Sequence, residues 1–290
     1  MPPRFKRYAA LSKVVMGIFR SITPLVEPLS LDEAFLDVSA IAGDAADAER
    51  IAANLKKQVH LATGLTLSVG GGANKTVAKI ASDLRKPDGL LIVPHGEERQ
   101  FLAPLPVRAL WGIGPKTERD LNTAAIRTIG DLADRSPGDA QRLLGSRGEF
   151  VLAMARGVDE RPIETVWERK SVGAERTFAR DLPDGPEFRA ELRRTAEDVA
   201  ARMARLGVRA HTVAIKLRYA QFKTITRQAS TSQGVESARQ IEEIAAGLLD
   251  ETAAPGDQFR LLGIQCSRLE GTGTARQRKL WDLFDDGEDR

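Results

Sequence analysis

The 290-residue sequence predicts an α+β multidomain protein. Three observations lead there. Helix-type and strand-type periodicities alternate up to Val93; short helical segments then surround a Gly-Ile-Gly turn at residues 112–114; and residues 170–270 read as strand, helix, two strands, helix and strand. An apolar content of 42% is enough to build cores, while the apolar runs fall far short of the ~20 residues of a membrane span. Met1-Pro2-Pro3-Arg4-Phe5-Lys6-Arg7 lacks the apolar segment of a secretory signal, and Cys266, the only cysteine, excludes an internal disulfide or a cysteine zinc cluster. A cytoplasmic location is expected.

The first helix is predicted over 7–21, where Tyr8, Leu11, Val15, Ile18 and Phe19 recur at helical spacing before Pro24 stops it. Val26 to Val38 then reads as strand, turn and strand, with Pro28 and Ser30 preceding Asp32 and Glu33 at the bend. Two adjacent carboxylates in an apolar, β-prone run need a reason, since burying an unpaired one is very costly. They are either turn residues or oxygen ligands for a hard cation such as Mg²⁺ held together with a substrate phosphate. The local chemistry leaves both open.

A second helix is predicted over 45–62, capped by Asp44 and stopped by Gly64. Leu65 to Val69 alternates as a strand, Gly70-Gly71-Gly72 follows, and a helix runs from Asn74 to Leu84. Strand, glycines and helix N-terminus suggest a phosphate cradle to which Lys75 adds a mobile charge. A P-loop is excluded, because Val69 and Asn74 stand where that motif needs glycine.

Pro94 to Pro106 reads as a boundary. Leu110-Trp111-Gly112-Ile113-Gly114-Pro115-Lys116, followed by Ile126-Arg127-Thr128-Ile129-Gly130-Asp131-Leu132, has the pattern of a helix-hairpin-helix, whose amides bind DNA phosphate without reading sequence. Short helices continue over 133–160, and Val166 to Ser171 reads as a linker. Between Glu168 and Ser230 there are 14 Lys or Arg against 8 Asp or Glu, a local excess of +6 (14 minus 8) that suits a polyanion. A solvated arginine-rich surface would give the same count. Thr212 to Tyr219 and Phe222 to Gln228 alternate apolar with Lys, Arg or Thr, so one face packs a core and the other presents Lys216, Arg218, Lys223 and Arg227 to a phosphate backbone.

Leu29-Ser30-Leu31-Asp32-Glu33-Ala34-Phe35-Leu36-Asp37-Val38 resembles the SLDEA[FY]LDV motif of the Y-family, lesion-bypass DNA polymerases, most closely the bacterial polymerase IV type. The resemblance continues through Asn74-Lys75-Thr76-Val77-Ala78-Lys79-Ile80-Ala81-Ser82-Asp83-Leu84-Arg85-Lys86-Pro87-Asp88-Gly89, which looks like the family's NKxxAKIASDxxKPxG. It implies a partial α/β palm at 1–93, an all-helical thumb at 94–165 with Gly112, Gly114 and Lys116 against DNA, and a βαββαβ little finger at 170–270, in which Lys170 and Arg176 also contact DNA. By the same resemblance Asp32 ligates Mg²⁺, Glu33 ligates metal or assists deprotonation of the primer 3′-hydroxyl, and Lys75 reaches the triphosphate of an incoming deoxynucleotide. Two Mg²⁺ ions, primer-template DNA and a monomer are implied. Leu280, Trp281, Leu283 and Phe284, in the tail at 271–290, resemble a sliding-clamp-binding peptide.

The family also carries a metal-ligating aspartate on an earlier first strand, an aromatic residue after it, and a fingers domain. No aspartate precedes Asp32 here, so an N-terminally truncated polymerase is expected. Its rivals are an inactive DNA-binding fragment of such a polymerase and a nucleotide cyclase, whose palm also pairs carboxylates.

Overall fold

The computed structural model describes residues 4–166 and 168–271, which divide into two units on either side of residue 167. The first unit begins with helix α1 (Phe5–Ile22), strand β1 (Val26–Pro28), strand β2 (Ala34–Leu36), helix α2 (Ala45–Thr63), strand β3 (Val69–Gly71), helix α3 (Lys75–Leu84) and strand β4 (Leu90–Ile92). The Asp44 carboxylate caps α2 by accepting from the Asp47 amide, and Gly64, in the left-handed region at φ 71°, ends it. β1 and β2 form an antiparallel hairpin with Glu27 opposite Phe35, while β3 and β4 pair in parallel as a separate sheet. Val15, Met16 and Phe19 of α1 pack on Leu55 and Val59 of α2 and on Val26, so the two helices carry the hairpin.

The glycine run differs from its expected place. Val69, Gly70 and Gly71 are strand, shifted from the predicted 65–69, and a Cβ on Gly70 would lie 2.1 Å from the Ser82 amide nitrogen and 2.2 Å from the Ala78 carbonyl. These glycines bring β3 hard against α3.

The rest of this unit is helical: α4 (Glu98–Leu102), α5 (Pro115–Thr123), α6 (Ile129–Ala133), α7 (Pro137–Leu144) and α8 (Gly148–Ala155). A capping box joins Thr128 and Asp131 at the start of α6. Val77, Ile80 and Ala81 of α3 share one apolar core with Leu102, Leu110, Leu121, Ile126, Ile129 and Leu132. The proline-bounded segment 94–106 therefore separates two sequence patterns that share a core.

The second unit is β5 (Ser171–Pro183), α9 (Pro186–Leu206), β6 (Val208–Tyr219), β7 (Thr224–Val235), α10 (Ala238–Asp250) and β8 (Gln258–Gly271), the predicted βαββαβ order. Its antiparallel sheet runs β5-β8-β6-β7. Val172, Ala174, Val213, Ile215, Leu217, Leu262, Ile264 and Cys266 pack with Phe188, Leu192 and Val199 of α9 and Ile241 and Leu249 of α10. Alternation along the strands then turns Glu175, Ala214, Lys216, Arg218, Gly263 and Gln265 to the opposite face.

Candidate active site and nucleic-acid interface

The β1–β2 bend is closed by the Leu29 and Ser30 amides, which donate to the Glu33 carbonyl at 2.9 and 3.3 Å. The Ser30 hydroxyl donates to Asp32 Oδ1 at 2.6 Å and accepts from the Asp32 amide at 3.3 Å. Asp32 is thereby fixed yet exposed, and Glu33 is half-buried. Lys79 Nζ donates to Glu33 Oε1 at 2.6 Å and lies 3.9 Å from Asp83. Lys86, half exposed, pairs with Asp83 at 2.6 Å. Its ammonium is held above its ordinary pKa by the Asp83 hydrogen bond first, with the charges of Asp83, Glu33 and Asp32 adding to it. Two carboxylates at a solvent-facing bend thus share the field of two lysines from α3 and the residues just beyond it.

Lys75 is the first residue of α3. Only 7% exposed, it bonds Glu27 Oε2 and sits 5.7 Å from the centre of the Phe35 ring. Glu27 and Phe35 are cross-strand partners, so Lys75 is held against the base of the hairpin. A strap over residues 157–164 reinforces this arrangement. Asn74 Nδ2 donates to the Gly157 carbonyl at 2.8 Å, the Thr76 amide and hydroxyl donate to Asp159 Oδ2 at 3.1 and 2.8 Å, and the Glu164 amide donates to Glu27 Oε2 at 2.8 Å. Arg161 grips Asp159 through two bonds of 2.7 and 2.6 Å, and its guanidinium lies 5.3 and 5.1 Å from the Trp111 and Phe150 ring centres. Burial alone would raise the Asp159 pKa, but the bonds from Arg161 and Thr76 win and hold it at about 2.

The donor chemistry of the bend fits a hard divalent cation: two adjacent, reachable carboxylates with no soft ligand beside them. Among the described residues no group of three or more His, Cys, Asp or Glu is gathered as a metal site, so a cation here would complete its shell with water or substrate oxygens.

In the hairpin before α5, Gly112 has φ 89°, a backbone that side chains rarely adopt, whereas Gly114 is at φ −86° with open space around it. Gly114 is the N-cap of α5, Pro115 opens the helix, and Lys116 is exposed beside the first-turn amides.

The second unit sorts the expected DNA-binding cations by face. Lys216 and Arg218 point away from the helices; Lys216 bonds both Glu175 oxygens, at 2.9 and 3.0 Å, across the bare Gly263, and Arg218 Nε donates to the Thr224 hydroxyl at 3.0 Å. Arg176 lies on the helix-packed side, bonding Asp198 at 2.6 Å with Glu191 at 3.7 Å, both on α9. Arg227 shares its face with Ile225 and Ala229, which pack on the core. Alternation alone could not say which parity meets the helices, and for Arg227 the open-face expectation is corrected. Lys170 and Lys223 are exposed outside the strands. A cavity of 970 Å³ lined by Glu175, Arg176, Asp198, Arg202 and Lys216 mixes both signs of charge and so is no anion site by itself. Leu280, Trp281, Leu283 and Phe284 lie outside the described residues.

Comparison with known proteins decides the family. Family models match over 1–83 (impB/mucB/samB family), 95–124 (IMS family HHH motif) and 169–280 (impB/mucB/samB family C-terminal domain). A "DNA polymerase IV" from Alkalilimnicola ehrlichii is 43% identical over 282 residues, spanning 97% of this chain and 79% of the relative. The chain belongs to the Y-family DNA polymerases, polymerase IV type. A second "DNA polymerase IV", from Halorhodospira halophila, is 42% identical over 97% of this chain and 78% of its own length. The fold matches a solved Y-family DNA polymerase chimera, Dbh-Dpo4(243-245)-Dbh, with a TM-score of 0.83 and 22% identity, over 93% of this chain and 78% of that one.

Sequence reasoning missed Lys79 and Lys86 as the lysines beside the carboxylates of the bend, although both fall inside the matched phrase. It also missed Glu27 and Asp159, for which partners 48 to 137 residues away leave no local signal, and Arg161, which clasps Asp159.

Proposed function

We propose that Asp32 and Glu33 form the metal-binding edge of the polymerase site and that Lys75, with Lys79 and Lys86, presents its ammonium to the triphosphate of the incoming deoxynucleotide. By family the protein is a DNA-directed DNA polymerase of the translesion type, and family members use a divalent metal. The observation that carries the residue assignment is the exposed bend, which holds both carboxylates in the field of Lys79 and Lys86. The reaction is attack of a primer 3′-oxygen on the α-phosphorus with departure of pyrophosphate. Bound at Asp32 and Glu33, a cation, Mg²⁺ by donor hardness, supplies charge neutralisation at the phosphates. The lysines orient the anionic nucleotide, and release of Lys79 from Glu33 frees that carboxylate as a ligand or proton acceptor.

The remaining parts follow the family pattern: a palm at 1–93, a thumb at 94–165 whose Gly112, Gly114 and Lys116 hold a phosphate at the start of α5, and a little finger at 170–270 whose Lys216 and Arg218 meet the backbone of primer-template DNA, with Lys170 and Lys223 beside it. Leu280, Trp281, Leu283 and Phe284 dock on a sliding clamp, and the protein acts as a monomer in the cytoplasm. Among the described residues no helix is long and apolar enough to cross a membrane.

Primer extension by this chain in Mg²⁺ tests the assignment. Extension lost in Asp32→Ala and impaired in Lys86→Ala supports it; extension indifferent to both overturns it. The gathering of only two carboxylates among the described residues favours a second reading, in which the chain grips DNA without copying it. Tight DNA binding with no extension by the wild type would establish that reading.

A further inference from the structure

The loop joining β6 to β7 is Ala220-Gln221-Phe222, closed by the Tyr219 amide on the Lys223 carbonyl and the Phe222 amide on the Tyr219 carbonyl, each at 2.9 Å. The last position of such a three-residue loop is left-handed and favours glycine or asparagine. Here it is Phe222, at φ 63° and 66% exposed. A large aromatic in a backbone state that L side chains resist, and out in solvent, is stabilised by nothing in the turn itself.

What lies around it gives the ring a use. One side is supported by Arg260, whose guanidinium is 5.5 Å from the ring centre and is itself held by Asp181 at 2.5 and 3.2 Å, at the bulge where β8 slips against β6. From Val208 to Val235 the two strands and their turn hold five Lys or Arg and no Asp or Glu. Arg209 and Lys216 are neutralised by Glu270 of the adjoining β8 and by Glu175 of β5, one strand further across the sheet. Arg218 and Arg227 bond instead to a threonine hydroxyl and a threonine carbonyl, and Lys223 follows Phe222 directly. The acid that reaches this end, Asp257, acts on Tyr219 and accepts the Ala254 amide. An exposed, rigidly backed ring among cations is the chemistry of a base-stacking platform with phosphate holders.

We propose that Phe222 stacks on an unpaired base of single-stranded DNA whose phosphates are held by Lys223 and Arg218. The proposal rests on the reading of this domain as DNA-holding and adds to it a preference for unpaired over paired strands. A protein partner would be served by a wider apolar surface, and among the described residues of this unit Phe222 is the one exposed large hydrophobic side chain.

The test is fluorescence anisotropy with labelled oligothymidine of about 12 nucleotides, an abasic strand of the same length and charge, and a blunt duplex. Phe222→Ala and Phe222→Gly are expected to weaken oligothymidine binding about tenfold and to leave the abasic strand and the duplex unchanged, while Phe222→Trp retains binding. Phe222→Gly relaxes the left-handed residue, so its melting temperature stays at or above that of the wild type, which separates lost stacking from lost folding. Equal binding of oligothymidine by wild type and Phe222→Gly, an equal loss on the abasic strand, or capture of a protein partner by Phe222 with no effect on oligothymidine would each overturn the proposal. A wild type that ignores duplex while its oligothymidine binding depends on Phe222 would instead sink the duplex-holding reading and leave the stacking site standing.

Discussion

Replacing Asp159 by Asn removes the charge at the centre of the strap while keeping its shape. The carboxylate has no exposed side-chain surface, receives two bonds from Thr76 and is clasped by Arg161. Its pKa of about 2, against an ordinary 3.8, is a shift worth about 2 kcal/mol between the two protonation states. An amide also offers a donor where the carboxylate accepts, so the total loss in Asp159→Asn at neutral pH should reach about 2 to 4 kcal/mol. The pH dependence carries the stronger test. A depressed carboxyl stabilises the fold above its unfolded pKa and ceases to do so as pH falls through the folded value. The wild-type advantage over Asp159→Asn should therefore be full at pH 6, fall by about half of the 2 kcal/mol near pH 3, and vanish as a charge effect toward pH 2. Urea melts across that range measure it, with the emission of Trp111, read in a background where Trp167 and Trp281 are replaced by Phe, reporting on the unit that contains the strap. A gap that stays constant from pH 6 to pH 3 would refute the argument that the charge of Asp159, rather than its shape, holds the segment.

Other outcomes follow from the same geometry. Lys75→Met should destabilise the first unit by about 2 kcal/mol, because Glu27 is left half-buried without its ammonium, whereas Lys86→Ala should leave the melting temperature unchanged and raise the KM for the deoxynucleotide about tenfold. Gly70→Ala should lower stability by about 1 to 3 kcal/mol, read by urea melts, because the new Cβ meets α3 backbone that has no room to move. Glu175→Ala should free Lys216 and steepen the log affinity against log salt slope for duplex DNA by about 0.9, the contribution of one added phosphate contact. Cys266, fully buried with its thiol pushed up to about 12, should resist alkylation at pH 8 until denaturant is added.

Much of this was legible because its causes are local. Pro28, Ser30 and the two acids describe a bend within a few residues, Asp44 and Gly64 bracket a helix from either end, and period-two alternation marks the strands of the second unit. What escaped reading depends on distant partners. Lys75 has the look of a mobile lysine at a helix start until Glu27, on a strand 48 residues earlier, claims it. Nothing in the glycine run says that α3 lies on Gly70. Alternation reports that Arg176 and Lys216 occupy definite faces, but only the position of α9 says which face is covered, and it covers that of Arg176. Phe222 is invisible to pattern reading, since nothing in Ala-Gln-Phe-Lys announces a left-handed backbone.

The bond between the Glu164 amide and Glu27 closes a loop of 137 residues. During synthesis the hairpin that carries Asp32 and Glu33 leaves the ribosome long before the segment that anchors it, and such distant pairings form late and slowly. The base of the hairpin at Glu27 must therefore wait for its last bond until α8 and the strap have emerged. Completion of the Glu27–Lys75 corner is thus tied to the helical part that follows it, so that a chain interrupted before residue 157 would hold the acidic bend on α1 and α2 but leave that corner without the strap.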